Sequence, residues 1–262
     1  MSKDYEASMN DRRPGKKVAL VTGASRQRGI GAAIALGLAD RGWDVATNYW
    51  RAYDATMPWG SHPHEVEQLD AQLRARGAET AAVEADLADV ATPTRIFDAV
   101  EAALGPVTAL VLAHCQSVDS DILNTTVESF DLHFAINARA TWLLVREFGR
   151  RFQGKAGDGR IIGLTSDHVA GNMPYGASKG AMDRIILAAA QEFGHLGITA
   201  NVINPGATDT GWMSQEQIAE FARDVPLGRV SKPEDCANLV GFLCSELGGW
   251  INGQLLHSNG GC

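Results

Sequence analysis

Short apolar segments alternate with amphipathic segments along most of the chain. The apolar and β-branched segments predict strands over 17–21, 45–49, 81–85, 107–113, 160–165, 199–203 and 250–257. Between them, apolar residues recur at helical spacing, as at Ile30, Ile34 and Leu38, which predicts amphipathic helices. Strands that are apolar throughout are buried on both faces. The pattern therefore favours an α/β fold with a doubly wound parallel sheet of about seven strands and helices on both faces.

Capping signals set the predicted ends of the longer helices. A capping-box sequence at Thr125 predicts a helix through about residue 152, and a second one at Ser231 predicts a helix to about residue 245. An alanine-rich helix is predicted from Tyr175 to about residue 195. The connection 49–64 is long and aromatic, which favours either the wall of a binding site or a self-packed loop.

The chain divides into a short arm and one larger unit. Residues 1–16 are polar, which predicts an N-terminal arm without a packed core. No linker, composition shift or internal repeat interrupts residues 17–262. They are predicted to form a single domain, since one core of this size is common.

Charge and composition exclude several classes of protein. The 262 residues carry a formal net charge of −8, which disfavours nucleic-acid binding because such surfaces need clustered lysine and arginine. No segment is apolar over the length of a membrane span, and the N-terminus lacks the apolar segment of a secretory signal. The four cysteines form no CxxC pair and have no histidine at ligand spacing. We expect free thiols, no metal site and a cytoplasmic location.

A glycine-rich turn joins the first predicted strand to the first predicted helix. It reads TGASRQRGIG over residues 22–31. In this position glycines let the backbone approach a pyrophosphate, and the start of the helix offers free N–H groups to it. The same spacing also suits an ordinary connecting loop, so the turn alone leaves both interpretations open.

The region after the second strand bears on the type of dinucleotide. NAD sites place a carboxylate at the end of that strand, but the residues there read NYWR and contain no acid. Arg26, Arg28 and Arg51 offer guanidinium groups to the 2′-phosphate of NADP. We therefore expect NADP(H), with NAD(H) less favoured. The alternatives are solvated loop arginines and an NAD site completed by Asp44 or Asp54.

A tyrosine and a lysine have YxxxK spacing at the start of the helix after the fifth strand. Tyr175 and Lys179 share one helix face. An ammonium beside a phenol lowers its pKa from its usual value of about 10, so that the phenol exchanges protons near neutral pH. This pair occurs by chance on many helices, and its position in a chain with the glycine turn is what indicates catalysis.

The turn and the YxxxK pair together resemble those of the short-chain dehydrogenase/reductase family, in particular its 3-oxoacyl-carrier-protein reductase-like members, over residues 17–262. The turn is similar to the TGxxxGxG sequence of that family, with two extra residues. Other segments that resemble its signatures are Asp86-Leu87, Asn204-Pro205-Gly206, Gly253-Gln254 and Asn259-Gly260-Gly261. The resemblance implies a Rossmann-type dinucleotide-binding catalytic domain.

The resemblance also implies an oxidoreductase that transfers a hydride between NADP(H) and a carbonyl or secondary alcohol. Tyr175 would exchange the proton, Ser166 would polarise the carbonyl, Lys179 would set the tyrosine pKa and bind the nicotinamide ribose, and Asn137 would support proton supply. The implied catalytic residues are Asn137, Ser166, Tyr175 and Lys179. The implied cofactor-binding residues are Gly23, Ser25, Arg26, Arg28, Gly29, Ile30, Gly31, Arg51, Asp86, Leu87, Ala113, Tyr175, Lys179, Pro205, Gly206, Thr208 and Thr210.

The chain departs from the family pattern at two places. Where the family reads NNAG, residues 112–115 read LAHC. We expect His114 to pack or to contact substrate rather than to act as an acid or base. Only eight residues separate Ser166 from Tyr175, fewer than is usual in the family, which leaves Thr165 as an alternative substrate-binding hydroxyl.

Other functions and partners follow from the same features. The main alternative is a non-catalytic NADP(H)-binding sensor or scaffold, which the missing NNAG suits and the retained catalytic residues oppose. A cofactor-free lyase of the same fold is disfavoured, because that class replaces the lysine and fills the nucleotide site. The resemblance implies a small-molecule carbonyl or alcohol substrate, a lid within 207–228, and a homotetramer or homodimer. We expect no nucleic-acid or membrane partner.

Overall fold

Seven parallel strands form one sheet within residues 16–62 and 64–262, which the computed structural model describes. The strands are β1 Val18–Thr22, β2 Asp44–Tyr49, β3 Thr80–Glu84, β4 Val107–Leu112, β5 Gly159–Leu164, β6 Ile198–Asn204 and β7 Leu255–His257. Their order is β3-β2-β1-β4-β5-β6-β7. The order reverses at β1, which confirms the predicted doubly wound parallel sheet. The arm predicted over residues 1–16 lies, except for Lys16, outside the described residues.

Helices connect the strands. They are α1 Ile30–Ala39, α2 Arg51–Ala55, α3 His64–Ala75, α4 Thr92–Leu104, α5 Val127–His133, α6 Ala140–Arg151, α7 Met173–Glu192, α8 Gln215–Asp224 and α9 Pro233–Leu243. A π-helical segment, Phe134–Arg139, joins α5 to α6. The long helix predicted to end near residue 152 therefore exists, with a wider turn in its middle.

The sheet is covered by an apolar layer on each face. Leu20 of β1 belongs to one buried cluster with Phe97 of α4 and Phe148 of α6. Its neighbour Val21 belongs to a second buried cluster with Ile34 of α1. Successive strand residues point to opposite faces, so α4, α6 and α7 cover one face and α1, α3 and α9 cover the other. Burial on both faces explains why the strands read as continuous apolar segments.

The start of α5 differs by one residue from the prediction. Thr126, rather than Thr125, caps the helix, because its hydroxyl accepts a hydrogen bond from the N–H of Ser129 at 3.2 Å. The hydroxyl of Thr125 instead donates to the carbonyl of Asp121 at 2.6 Å. Two adjacent threonines offer the same capping chemistry, and the preceding turn decides which of them is free.

The start of α9 shows a similar shift. Asp235, rather than Glu234, accepts a hydrogen bond from the backbone N–H of Lys232 at 2.8 Å. The helix then begins at Pro233, whose missing N–H has no cost in the first turn. The predicted pairing of Ser231 with Glu234 is therefore wrong, although a helix of the predicted type begins there.

Candidate active site

A pocket lies beside the carboxyl ends of the central strands, where the strand order reverses. This is the position at which doubly wound folds bind ligands. The predicted site residues that line it are Gly23, Ser25, Arg26, Gly29, Ile30, Gly31, Asp86, Leu87, Ala113, Tyr175, Lys179, Pro205 and Thr210. The predicted residues that do not line it are Arg28, Arg51, Asn137, Ser166, Gly206 and Thr208.

The glycine turn forms the floor at one end of the pocket. Gly23 has a φ of +72°, and a Cβ on it would lie 2.6 Å from the Cα of His114. A Cβ on Gly31 would lie 2.5 Å from the carbonyl oxygen of Gly23. The helix α1 follows Gly29 without a side-chain cap, which leaves N–H groups at its start free for an anionic ligand. The turn therefore has the compact form that a phosphate-binding loop requires.

Only one of the three arginines predicted for the 2′-phosphate lines the pocket. Arg26 donates a hydrogen bond to the carbonyl oxygen of Thr210 at 2.7 Å and lines the pocket wall. Arg28 is exposed and forms an ion pair with Asp209 at 2.6 Å. Correcting the prediction, Arg28 and Arg51 are both turned to acidic partners outside the pocket.

The partner of Arg51 lies on the neighbouring strand. Its guanidinium binds the carboxylate of Glu84, which ends β3. Because β2 and β3 are paired so that Tyr49 lies beside Glu84, the carboxylate is within reach of Arg51. This contact depends on strand pairing, and the sequence around β2 alone gives no sign of it.

The connection after β6 carries two predicted residues that support the pocket from outside. Gly206 has a φ of +63°, and a Cβ on it would lie 2.6 Å from the Cβ of Asn259. The hydroxyl of Thr208 donates to the carbonyl oxygen of Gly206 at 3.2 Å. Both residues therefore shape the turn that presents Pro205 and Thr210 to the pocket, and neither faces it.

The phenol of Tyr175 lies in the pocket with a hydroxyl partner. Burial raises the pKa of the phenol, and the nearby hydroxyl of Ser166 offsets part of this increase. Ser166 thus reaches the tyrosine although the connection between them is short. The alternative hydroxyl, that of Thr165, is buried and makes no hydrogen bond within the part of the chain that the structure describes. Thr165 lines the pocket and Ser166 lies close to Tyr175, so both hydroxyls stay candidates for binding the substrate oxygen.

The ammonium of Lys179 is fully inside the protein. It donates to the carbonyl oxygen of Leu164 at 2.8 Å and to that of His114 at 3.4 Å. Burial lowers the pKa of Lys179. Its Nζ lies 5.8 Å from the centroid of the Tyr175 ring. The prediction that lysine lowers the tyrosine pKa is corrected, because the ammonium is turned to main-chain carbonyls and burial dominates the shift of Tyr175.

Asn137 lies in the π-helical segment and holds the connection after β4. Its side-chain carbonyl accepts a hydrogen bond from the N–H of Gln116 at 2.7 Å, and its amide donates to the carbonyl of Gln116 at 2.9 Å. The amide also donates to the hydroxyl of Ser178 at 2.8 Å. Ser178 is next to Lys179, so Asn137 ties the helix α7 to the wall of the pocket.

His114 replaces part of the missing NNAG sequence by bracing the sheet. Its Nδ1 lies 2.7 Å from the hydroxyl of Thr22, and its Nε2 lies 3.1 Å from the carbonyl oxygen of Ile136. Burial lowers the pKa of His114 to about 3, so the ring is neutral at physiological pH. Both nitrogens are occupied, which supports the predicted packing role rather than acid–base chemistry.

The short connection between Ser166 and Tyr175 crosses directly over the start of α7. A Cβ on Gly176 would lie 1.9 Å from the carbonyl oxygen of His168. At the end of the connection, the amide of Asn172 donates to the hydroxyl of Ser117 at 2.9 Å. A glycine next to the tyrosine therefore makes the shortened connection compatible with contact between Ser166 and Tyr175.

Several lining residues were not predicted as site residues. Tyr53 and Trp59 come from the connection after β2, and Cys115 follows β4; Asp54, predicted only as an alternative NAD ligand, also lines the pocket. Burial raises the pKa of the Cys115 thiol, which keeps it protonated. The length and aromatic content of segment 49–64 predicted either the wall of a binding site or a self-packed loop. The segment lines the pocket, so the first of these alternatives holds. Nothing in the sequence around Cys115 indicated its place.

Two kinds of site are not found within residues 16–62 and 64–262. None of the helices there combines the length and apolarity that a bilayer span needs. No group of three or more histidine, cysteine or acidic side chains in that part of the chain is arranged to hold a metal ion.

Comparisons with known proteins agree on the kind of chemistry. A family model described as enoyl-(acyl carrier protein) reductase matches residues 23–262. The chain is 35% identical over 251 residues to an uncharacterised oxidoreductase, YjdA, of Bacillus subtilis, which covers 94% of this chain and 96% of that protein. It is 34% identical over 257 residues to an NADPH-dependent aldehyde reductase-like chloroplastic protein of Arabidopsis thaliana, covering 94% and 93%.

Solved structures share the fold over nearly the whole chain. A blue fluorescent protein from a metagenomic library, in complex with NADPH, has a TM-score of 0.84 and 31% identity and covers 95% of this chain and 99% of its own. A short chain dehydrogenase from Burkholderia cenocepacia, in complex with NADP, has a TM-score of 0.82 with the same identity and coverage.

Proposed function

Because the chain belongs to the short-chain dehydrogenase/reductase family, whose members are oxidoreductases, we propose that it is an NADP(H)-dependent reductase of a carbonyl compound with Tyr175 as its general acid and base. The observation that carries this proposal is the placement of Tyr175 in the pocket, with the buried Lys179 one helical turn along α7 and its Nζ 5.8 Å from the centroid of the Tyr175 ring. Tyr175 and Lys179 line the same pocket as the glycine turn.

The residues around the pocket fit a dinucleotide. A Cβ on Gly23 or Gly31 would collide with neighbouring backbone atoms, so the turn requires glycine at both positions. The helix α1 starts with unbonded N–H groups that suit a diphosphate. Asp86 and Leu87 line the end of the pocket beside β3, where the family binds adenine. Arg26 is the cation available there for a phosphoryl group.

NADP(H) is favoured over NAD(H) by the acids near β2. Asp44, one alternative ribose ligand, is bound by Lys16 and by the N–H of Glu79 at the opposite end of the strand. Asp54, the other alternative, lines the pocket, but its carboxylate accepts a hydrogen bond from the indole of Trp59 at 3.1 Å. Asp44 is therefore out of reach of a ribose at the end of β2, and one carboxylate oxygen of Asp54 is already bound by Trp59.

The proposed chemistry divides between cofactor and protein. When bound, the nicotinamide supplies or accepts the hydride at its C4. Tyr175 donates the proton from its phenol oxygen to the substrate oxygen during reduction, and its raised pKa keeps that proton in place at neutral pH. Ser166 donates a second hydrogen bond to the same substrate oxygen. Lys179, bound to the main-chain carbonyl oxygens of Leu164 and His114, holds the pocket wall beside the phenol.

The substrate is proposed only as a class. A carbonyl carbon beside Tyr175 is required for hydride transfer. Two groups within that class deserve direct comparison, namely simple aldehydes or ketones and 3-oxoacyl thioesters, since the 3-oxoacyl assignment derives from sequence resemblance alone. The relative from Arabidopsis thaliana is described as an aldehyde reductase-like protein, which supports testing aldehydes first.

A thermal-shift series tests the cofactor. A ligand at about 100 times its Kd stabilises the native state by about 2.7 kcal/mol, which raises the Tm of a chain of this size by roughly 5–10 °C. We expect NADPH and NADP to produce this shift, and NADH and NAD to produce a smaller one at the same concentration. Equal shifts would reject the preference for NADP(H), and no shift with any of the four would reject the proposed function.

Turnover then separates an enzyme from a nucleotide sensor. We expect oxidation of NADPH, followed at its absorbance band, with at least one aldehyde or ketone of a broad panel. Tight NADPH binding without turnover on the whole panel would favour the non-catalytic sensor instead.

A further inference from the structure

Arg26 is held in the pocket wall by an unpredicted aromatic residue. Its guanidinium carbon lies 4.1 Å from the centroid of the Trp59 ring. The indole N–H of Trp59 donates to the buried carboxylate of Asp54 at 3.1 Å, which fixes the orientation of the ring. At the edge of its guanidinium, Arg26 donates one hydrogen bond to the carbonyl oxygen of Thr210, at 2.7 Å.

These contacts leave most of the guanidinium available. The group carries five N–H donors in one plane, and stacking covers its face while leaving the edges open. Only one hydrogen bond to a protein acceptor is made by Arg26 among the described contacts. Burial lowers the pKa of Arg26, and the nearby carboxylates of Asp54 and Glu65 offset part of this decrease, but an arginine stays charged at neutral pH.

The other turn and strand arginines have no such freedom. Arg28 is paired with Asp209, and Arg51 is paired with Glu84. Arg26 is therefore the guanidinium that the pocket itself presents. Planar guanidinium edges bind phosphoryl oxygens in pairs, and a guanidinium that is already oriented loses less conformational entropy on binding.

We propose that Trp59 is a positioning residue for cofactor binding, which stacks on Arg26 and keeps its free N–H edge ready for a phosphoryl group of a dinucleotide. This inference rests on the proposed function, because it takes the ligand to be a dinucleotide. The phosphoryl group is either the 2′-phosphate of NADP(H) or the diphosphate that NAD(H) also carries. The chemistry of recognition is the same for both.

Trp59 also links two segments that flank the pocket. Its ring lies 4.5 Å from that of Trp212, between centroids, at an angle of 54°. Trp59 belongs to the connection after β2 and Trp212 to the connection after β6. Trp212 thus packs against the ring that stacks on Arg26 and helps to hold it in place.

Titration calorimetry with NADPH and with NADH tests the proposal. The variants are Trp59→Leu, which removes the aromatic face, and Trp59→Phe, which retains a smaller one. Trp250→Leu is the matched control, since Trp250 is 96% exposed and does not line the pocket. We expect Trp59→Leu to raise the Kd for NADPH about threefold to thirtyfold, Trp59→Phe to raise it less, and Trp250→Leu to leave it unchanged.

The two nucleotides identify the phosphoryl group. A loss confined to NADPH assigns Arg26 to the 2′-phosphate, and an equal loss for NADPH and NADH assigns it to the diphosphate. Unchanged Kd values for both nucleotides in Trp59→Leu would overturn the positioning role. If the unmodified protein binds neither nucleotide, the proposed function fails, and this inference falls with it.

A double-mutant cycle separates positioning from direct contact. Arg26→Lys removes the planar fork while keeping the charge. If Trp59 acts through Arg26, Trp59→Phe should weaken NADPH binding in the unmodified protein and have no further effect in the Arg26→Lys background. An equal effect in both backgrounds would mean that Trp59 contacts the ligand directly, which would overturn the proposal. The conservative Trp59→Phe change also keeps the test valid if Trp59→Leu does not fold.

Discussion

At the scale of single residues, burial in the pocket favours the neutral form of its titratable groups. Lys179 is buried against main-chain carbonyls, whereas Tyr175 and Cys115 keep their protons because burial raises the pKa of each. His114 is buried and neutral for the same reason. The proposed acid of the reaction is therefore a protonated phenol with an ammonium close by, rather than a pre-formed phenolate.

The role of Tyr175 is tested by removing one oxygen. We predict that Tyr175→Phe lowers kcat by about 10²–10⁴-fold, the usual contribution of general acid–base catalysis, because the phenylalanine ring has no proton to donate to the substrate oxygen. The Kd for NADPH, measured by calorimetry, should stay within about threefold. Retained turnover would remove Tyr175 from the acid–base role, and lost NADPH binding would indicate that the change disturbs the pocket.

The neutral state of His114 predicts a dependence of stability on pH. Its pKa is about 3 in the folded protein and about 6.5 in the unfolded chain, so the unfolded state binds the extra proton first as pH falls. The stability that depends on this residue is present above pH 6.5 and decreases towards pH 3. Between pH 7 and pH 5 the loss is about 2 kcal/mol.

Urea unfolding at pH 7 and pH 5 measures this effect. The matched variant is His114→Asn, which cannot titrate in this range and keeps a polar side chain beside Thr22. We expect the loss between the two pH values to be about 2 kcal/mol smaller in the variant than in the unmodified protein. The same pH dependence in both proteins would show that His114 is not the titrating group.

At the scale of elements, the start of α7 brings the predicted catalytic groups together. Asn172 precedes this helix and binds the connection after β4, and Asn137 binds Ser178 from the π-helical segment. Gly176 admits the short connection that carries Ser166. The orientation of Tyr175 and Ser166 thus depends on contacts between three elements rather than on α7 alone.

A pair of glycines in α7 tests the short connection. We predict that Gly176→Ala destabilises the protein by about 1–3 kcal/mol, because its Cβ would meet the carbonyl oxygen of His168 at 1.9 Å. It should also lower kcat by displacing Ser166. Gly180→Ala on the same helix has open space around its Cβ and should leave kcat unchanged and raise stability by up to about 1 kcal/mol. Chemical unfolding and steady-state kinetics measure both effects, and equal behaviour of the two variants would contradict this account.

At the scale of the whole molecule, the sheet places the pocket and the outer helices leave apolar side chains on the surface. Phe130 of α5 and Trp142 of α6 are partly exposed, Trp142 by 48%. Trp142 also lies 5.0 Å from the guanidinium of Arg146. These side chains support the expected homodimer or homotetramer through the long helix. The cytoplasmic location also stays a prediction.

Light scattering coupled to size-exclusion chromatography tests the assembly. We predict a dimer or tetramer for the unmodified protein and a smaller species for Trp142→Glu, because a carboxylate in an apolar interface loses its hydration without a partner. Val90→Glu is the control, since Val90 is exposed and lies on a different surface connection. A monomer before any substitution would contradict the prediction, as would equal masses for the Trp142 and Val90 variants.

Much of the fold could be predicted from the sequence because its signals are local. The apolar segments gave the seven strands within a residue or two, except that β7 covers only Leu255–His257 of the predicted 250–257. The cap residues of α5 and α9 were each missed by one position, because Thr126 offers the same chemistry as Thr125 and because Lys232, rather than Ser231, directly precedes the first residue of α9. Periodicity records burial along one element, and it does not record which neighbour supplies a hydrogen bond.

For the candidate site as well, the sequence predicted the short-range motifs but not the partners that each side chain contacts. The glycine turn and the spacing of Tyr175 and Lys179 are fixed by short-range backbone geometry, so the sequence by itself determined where a phosphate-binding turn and a phenol–ammonium pair would lie. Only the tertiary structure decided that Arg51 turns to Glu84, that His114 braces Thr22, and that Trp59 stacks on Arg26. These partners come from different strands and connections. Folding brings them together through strand pairing and packing, and such long-range contacts produce no pattern in residues that are close together in the sequence.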